Sequence, residues 1–177
     1  FVLGLNADET EYEVIGKVGD IAPDESIWSA RFIGDKAYIV TFRNIDPLWT
    51  VDLSEPTNPR IIGELKIPGV STYIHPVGDT HLLTIGIAGD DEGLDWGVTQ
   101  ISFFDVSDFS NPILESELKL NPAPNEDDGW SYSHSEATYE HKAFQYWESD
   151  GLLAIPLSTN RWVENSVIED GKTYNYY

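Results

Sequence analysis

A sixteen-residue segment that occurs twice in this chain constrains the fold more than any other feature. Residues 52–67 read DLSEPTNPRIIGELKI and residues 105–120 read DVSDFSNPILESELKL, with seven identical positions at an offset of 53. Most other positions are conservative, such as Glu55 against Asp108. A repeat of this period indicates a structure assembled from copies of one supersecondary unit.

A second pair of matching segments lies upstream of each copy. FIGDKAYIV at 32–40 aligns with PVGDTHLLT at 76–84, at an offset of 44. In both, a Gly-Asp pair separates apolar residues typical of strands, which predicts a tight hairpin turn. The two offsets differ by nine, so we expect about nine additional residues in the second unit, in an acidic loop at 88–97.

Each unit contains four predicted strands. They are 27–33, 36–42, 48–52 and 60–66 in the first unit, and 71–77, 80–86, 99–105 and 113–119 in the second. Four short antiparallel strands that recur every 40–50 residues or so are typical of propeller blades. Sustained helical periodicity is absent from the sequence. We therefore predict an all-β fold, a β-propeller of four-stranded antiparallel blades.

The two ends of the chain predict incomplete blades. We expect residues 1–20 to end one blade, 26–67 and 70–120 to form two whole blades, and 134–177 to begin another. Within the last range, 140–157 would supply two strands around a Ser149-Asp150-Gly151 turn. Two whole and two partial blades cannot close a ring of about 4–8 blades. The sequence thus predicts a stretch of a longer propeller, or a homodimer joined through open blade edges.

The same residues carry a resemblance to a known family. SARFIGDKAYIVTFRNIDPLWTVDLSEPTNPRIIGELKIPGVSTYIHP at 29–76 and SEATYEHKAF at 135–144 resemble the secreted prokaryotic proteins with a C-terminal β-propeller domain, distant relatives of WD-repeat propellers. The resemblance implies a secreted or cell-envelope location and a propeller longer than this chain. It implies no catalytic residues.

Charge and composition exclude several classes of partner. The chain has 31 acidic and 10 basic residues, for a formal net charge of −21. Such a chain repels phosphate backbones and anionic lipid surfaces, so we expect neither nucleic acid nor membrane binding. The sequence has no transmembrane run. Because cysteine is absent, disulfides and thiolate chemistry are excluded.

One face of the predicted propeller collects the long loops. Four aromatic residues fall on these loops: Trp96, Trp130, Tyr132 and Trp162. Exposed aromatic side chains beside acids can stack on sugars or hold cations, although loop packing over the blades is an alternative. Our leading interpretation is a non-catalytic, extracytoplasmic propeller that binds a protein or glycan on this face.

The acidic loops also suggest a calcium site. The candidate ligands are Asp90, Glu92, Asp95, Asp127 and Asp128, since Ca²⁺ takes about 6–8 oxygen ligands. Their spacing does not match an EF-hand loop, and so acidic a chain produces such clusters by composition alone. A calcium-stabilised structural module is therefore an alternative hypothesis.

An enzyme is the remaining alternative. His75 lies near the end of a predicted first strand, at the position of Arg31 in the preceding unit, and Glu140 and His141 precede the next such strand. These three side chains would suit acid–base chemistry at the mouth of the central channel. They could equally hydrogen-bond buried backbone groups between blades. The sequence contains neither a Gly-x-Ser-x-Gly nucleophile elbow nor a phosphate loop.

Overall fold

The computed structural model describes residues 1–42, 46–90, 93–120, 131–161, 165–169 and 172–176. In these ranges the chain is all-β except for two single-turn 3₁₀ helices, Glu136–Thr138 and His141–Ala143. The strands are β1 Val2–Leu5, β2 Tyr12–Gly16, β3 Ser26–Ile33, β4 Lys36–Phe42, β5 Asp46–Asp52, β6 Arg60–Ile67, β7 Val70–Val77, β8 His81–Asp90, β9 Gly93–Asp105, β10 Ile113–Lys119, β11 Ser131–His134, β12 Gln145–Trp147, β13 Leu152–Ala154, β14 Ser158–Arg161, β15 Asn165–Glu169 and β16 Lys172–Tyr176.

Two complete four-stranded antiparallel sheets form the centre of the molecule. Strands β3-β4-β5-β6 make the first sheet and β7-β8-β9-β10 the second, each with its strands in sequence order. The first strands β3 and β7 contact each other, while the fourth strands β6 and β10 are the more exposed. First strands therefore lie innermost and fourth strands outermost. This arrangement confirms the predicted fold class of four-stranded propeller blades with partial blades at the ends.

Burial follows the position of each strand in its blade. Strand β4, KAYIVTF, buries its five central residues because a neighbouring structure covers both faces of the sheet. Outer strand β6, RIIGELKI, alternates exposed and partly buried residues, as expected where only one face is covered. Buried second strands and largely exposed fourth strands thus distinguish the inside of a blade from its rim.

The main hydrophobic core lies between the two complete blades. Its buried members are Tyr38, Val40, Leu48 and Ile67 from the first blade and Val70, Ile74, Leu82, Phe104 and Val106 from the second. Ala37, Ile39 and Val51 form a separate cluster on the far side of the first blade. Each sheet is therefore a layer between two apolar interfaces, and each blade depends on a neighbour to bury its faces.

The two Gly-Asp turns lie on one face of the molecule, because Gly34 and Gly78 line the same cavity of about 220 Å³. We call this the turn face. Both glycines take a positive φ, +58° and +56°, which residues with a Cβ rarely adopt.

The turns differ in length, and this corrects the sequence alignment. Ile33 pairs with Lys36 across a two-residue turn, whereas Val77 pairs with His81 across three residues. The counterpart of Lys36 is therefore His81, which gives an offset of 45, and not Thr80 as the offset of 44 predicted. Thr80 is the additional residue of the longer turn.

The acidic segment at 88–97 extends the β8–β9 hairpin, so the prediction that it forms a loop was wrong. Ala88 pairs with Asp95, Gly89 with Leu94 and Asp90 with Gly93. This pairing makes β8 and β9 longer than β4 and β5, their counterparts in the first blade. The offset is 45 before this hairpin and 53 after it, which leaves eight additional residues. The extension holds its shape because Leu94 packs on the main core and Lys119 Nζ donates to the Gly89 carbonyl at 2.9 Å.

The third unit contains the predicted hairpin around the Ser149-Asp150-Gly151 turn, but the first strand of that hairpin is interrupted. Strand β11 pairs with β14 and β12 pairs with β13, so the two pairs are halves of one hairpin whose turn is 148–151. Residues 135–144 interrupt its first strand with the two 3₁₀ helices. Burial of Ala137 and Phe144 against Leu83 and Ile85 of the second blade fixes this insertion in place.

A turn of the second blade packs against a glycine on the outer strand of the first blade. A Cβ at Gly63 would stand 2.7 Å from the Ser110 carbonyl oxygen, and beside it Thr50 Oγ1 donates to the Phe109 carbonyl at 2.7 Å. The joint recurs one blade earlier, where a Cβ at Gly16 would meet the Pro56 carbonyl. The repeated turns at 52–59 and 105–112 therefore each dock onto a glycine of the preceding blade.

We expect Gly63→Ala to lower the free energy of unfolding by about 1–3 kcal/mol, because the added methyl forces the docked turn outward. Gly19→Ala is the matched control, since its Cβ would have only Lys17 Cε nearby, at 3.8 Å. Urea denaturation of both variants measures the effect. Equal midpoints for the two alanine variants would contradict the docking role of Gly63.

Candidate functional site

The extended β8–β9 hairpin presents an exposed aromatic side chain on the face opposite the turn face. Trp96 is 62 % exposed, and its ring centroid lies 5.8 Å from that of Trp28 on β3. Trp28 in turn meets Phe42 edge-on at 5.6 Å. Trp28 and Phe42 also pack against the main core, so Trp96 rests on a rigid base. We call Trp28, Phe42 and Trp96 the aromatic platform.

The sequence predicted Trp96 but missed its two supports. Trp28 and Phe42 belong to strands of the first blade, and their apolar neighbours made them look like ordinary core residues. A sequence signal could have identified them, because Trp28 and Phe42 lie at adjacent ends of two strands in a predicted hairpin. The predicted insertion of the next blade would emerge close to these strand ends.

The other predicted aromatic residues are only partly accounted for. Tyr132 is half-buried on β11, in a stacked series with His134 at 6.3 Å and then Tyr139 at 5.7 Å. Strand β11 is tied to β9 near the platform, since Ser133 Oγ accepts from the Thr99 amide at 2.9 Å. Trp130 and Trp162 lie outside the described residues. Tyr132 therefore neighbours the residue that holds β11 against β9.

Most of the predicted calcium ligands also lie outside the described residues. This holds for Glu92, Asp127, Asp128 and the Asp90 side chain. Asp95 is exposed, and its Oδ1 accepts from the Gly97 amide at 3.1 Å, which tightens the chain next to Trp96. Calcium binding there stays a prediction.

The predicted channel-mouth histidines lie within a group of aromatic rings. The His75 ring centroid is 5.4 Å from that of Phe144 and 5.3 Å from that of Tyr146. The His141 ring lies 4.5 Å from that of Tyr73, whose hydroxyl is 3.4 Å from His75 Nδ1. Tyr73 thus stands between the two histidines and connects the second blade to the 3₁₀ insertion.

A cavity of about 270 Å³ adjoins this group, between the innermost strands β3 and β7. Arg31, Thr72, Tyr73 and His141 contribute to its walls. Arg31 Nε is buried there without a hydrogen-bond partner among the described residues. The cavity thus brings a guanidinium, a hydroxyl, a phenol and an imidazole together between the innermost strands.

Glu140, the third residue of the predicted acid–base site, caps a helix. It is exposed, and its side chain accepts a hydrogen bond from the Lys142 amide at 3.1 Å, which caps the second 3₁₀ helix. Among the described residues, no hydrogen bond joins Glu140 to His75 or His141. The geometry brings the two histidines together around Tyr73 and leaves the carboxylate outside that group.

Burial lowers the pKa of His75 below its ordinary value, and the nearby Arg31 guanidinium lowers it further, while Glu148 acts in the opposite direction. A histidine that is neutral in this way stabilises the fold above its unfolded-state pKa near 6.5. That contribution is lost as the pH falls through the lower, folded-state pKa.

A family model described as a beta propeller domain matches residues 1–177. The chain belongs to this family. An uncharacterised protein of Methanocaldococcus jannaschii is 39 % identical over 164 residues, which cover 93 % of this chain and 24 % of that protein. An uncharacterised protein of Archaeoglobus fulgidus is 35 % identical over 155 residues, covering 88 % of this chain and 22 % of its own length. The chain thus spans about a quarter of the length of these curated relatives.

Membership in the beta propeller domain family agrees with the blades seen in the structure, and supports the resemblance at the level of the domain. None of the helices in the described part of the chain has the length and apolar character needed to cross a membrane.

We expect Arg31→Gln to raise the pKa of His75 and Glu148→Gln to lower it, because the two charges act on the imidazole with opposite sign. NMR titration of the His75 ring protons measures both shifts. His134, which stacks on Tyr132 and Tyr139, is the internal reference in each variant. An unchanged His75 pKa in both variants would show that burial alone sets it.

Proposed function

We propose that this beta propeller domain is a non-catalytic, extracytoplasmic binding module that takes a protein or glycan partner on the aromatic platform. One observation carries the proposal: Trp96 is 62 % exposed at the base of the hairpin extension, where the pairing of β8 and β9 shifts register. Exposing so large an apolar surface costs free energy that a partner would recover on binding.

The rigid mounting of Trp96 supports a binding role. The ring rests on Trp28, and the hairpin is anchored by Leu94 in the core and by Lys119 on Gly89. A side chain that is already held in place loses little conformational entropy when a partner binds. This rigidity favours recognition over a flexible loop function.

The surroundings of Trp96 match the chemistry of a sugar or of a cationic protein surface. An exposed indole can stack on the C–H face of a sugar or accept a cation, and the exposed Asp95 carboxylate beside it can accept hydrogen bonds from hydroxyl or ammonium groups. The formal charge of −21 favours neutral or cationic partners.

The channel-side residues support a non-catalytic interpretation. His75 is enclosed by aromatic rings, and the Glu140 carboxylate is occupied as a helix cap. The extracytoplasmic location follows from the resemblance to secreted propeller proteins. Cell fractionation with an antibody to the domain tests it, and recovery of the protein in the cytosolic fraction would contradict it.

We expect Trp96→Ala to weaken partner binding about tenfold or more, the size of effect seen when an anchoring tryptophan is removed. An array of soluble glycans, followed by affinity purification from the native cell surface, supplies the partner for the measurement. Trp96→Phe should retain most of the affinity, because it keeps an aromatic ring on Trp28.

Trp147→Ala is the matched control. Trp147 is also an exposed tryptophan, at 50 %, but it adjoins the 148–151 turn of the third unit. It should bind as the unchanged protein does. Equal loss of affinity in the Trp96 and Trp147 variants would contradict recognition through the platform.

A further inference from the structure

Three potential metal ligands meet on the turn face of the second blade, far from the aromatic platform. His81 begins β8, Asp105 ends β9, and Glu115 lies on β10. His81 pairs directly with Asp105 across the two strands, and Asp105 pairs with Ile113 on the third. The three ligands therefore come from three neighbouring strands of one sheet.

A β-bulge aims Glu115 at this point. The register of β10 shifts between Leu114 and Ser116, so Glu115 is the additional residue of the bulge. A bulged residue leaves the regular alternation of side chains and takes a new direction. Here Glu115 Oε2 lies 3.6 Å from His81 Nε2.

The distances suit one shared ion. The ligand atoms of His81, Asp105 and Glu115 all lie within 4.8 Å of one another. Zinc ligands at about 2.0–2.2 Å from the metal stand roughly 3.3–3.6 Å apart in a tetrahedral site. The separation of Nε2 and Oε2 is too long for a hydrogen bond and agrees with two ligands of one cation.

Two contacts hold the imidazole in the orientation that a ligand needs. The His81 ring stacks on Phe103 with an interplanar angle of 7° and a centroid distance of 5.0 Å. Its Nδ1 lies 2.9 Å from Thr80 Oγ1, the residue that lengthens this turn. A hydrogen bond from Nδ1 to that hydroxyl leaves the Nε2 lone pair directed at the carboxylates, as in protein metal sites where a second group fixes the histidine.

The first blade has the same backbone and the opposite charge. There Lys36 takes the place of His81, Asp52 that of Asp105, and the bulge carries Ile62 in place of Glu115. Asp52 is paired with Arg60 at 3.2 Å. The first blade thus pairs its carboxylate with Arg60, whereas the second has two carboxylates around a histidine and neither lysine nor arginine at the corresponding positions.

We propose that His81, Asp105 and Glu115 bind a divalent transition-metal ion of the zinc class, with water at the remaining position. One nitrogen and two carboxylate oxygens form a ligand set that zinc accepts, and a three-ligand site leaves one position open. The ion would tie outer strand β10 to β8 across β9. The site is independent of partner binding at Trp96.

Zinc binding to the purified full-length protein, measured by calorimetry, tests the proposal. We expect His81→Gln and Glu115→Gln each to weaken this site at least tenfold. Glu117→Gln, which removes the same charge from the same strand, should leave the affinity unchanged. Asp105 is left intact because its Oδ1 accepts from the Ser107 amide and holds the following turn.

The variant His81→Lys separates loss of the site from loss of the fold. It installs the residue of the first blade, which can pair with Asp105 and Glu115 without a metal. We expect it to abolish binding while its melting temperature without metal stays that of the unchanged protein. Cobalt should give the visible absorption band of a four-coordinate site in the unchanged protein and not in this variant.

The opposite results would overturn the assignment. These are the absence of zinc binding in the unchanged protein, zinc binding that survives in both His81 variants, and equal losses in the Glu115 and Glu117 variants. The first or second result would leave His81 and Glu115 as an ion pair only.

Discussion

The apolar interface between successive blades is the constraint on which the rest of this structure depends. A four-stranded sheet whose second strand is buried on both faces cannot stand alone in water, because both faces need cover. Tyr38 and Leu48 of one blade therefore pack against Leu82 and Phe104 of the next. Once the interface forms, the direction of every strand is set, and with it the side of the molecule on which each turn emerges.

The interface also explains how function can be confined to particular places. The turns at 52–59 and 105–112 dock on the preceding blade, as Ser110 does on Gly63, so their residues have little freedom to change. The β8–β9 hairpin extends on the face opposite the turn face. The eight-residue extension on that face shifts the pairing of β8 and β9 at its base and leaves Trp96 exposed there, against Trp28. A rigid frame with one permissive face is a physical basis for a binding module.

Comparison of the two blades separates structure from specialisation. Both have a bulge at the same point of the fourth strand and a carboxylate at the end of the third, since these belong to the shared backbone. The side chains around them differ: Arg60 pairs with Asp52 in the first blade, while His81 and Glu115 lie close to Asp105 in the second. The chemistry of the turn face is therefore set by a few side chains on an unchanged frame.

The sequence by itself determined the repeat, the number of strands in a blade and the fold class, because turn residues and strand alternation are local properties that each copy repeats. It also pointed to Trp96 and to the histidines His75 and His141. Only the tertiary structure decided that the acidic segment extends a hairpin, that Glu140 caps a 3₁₀ helix apart from the histidines, and that Thr80 shifts the alignment by one residue. These outcomes depend on contacts between residues distant in sequence: Leu94 with the core, Phe144 with the second blade and His81 with Glu115. A linear pattern carries no record of such contacts, since they arise when one blade packs on the next and one strand bulges toward another.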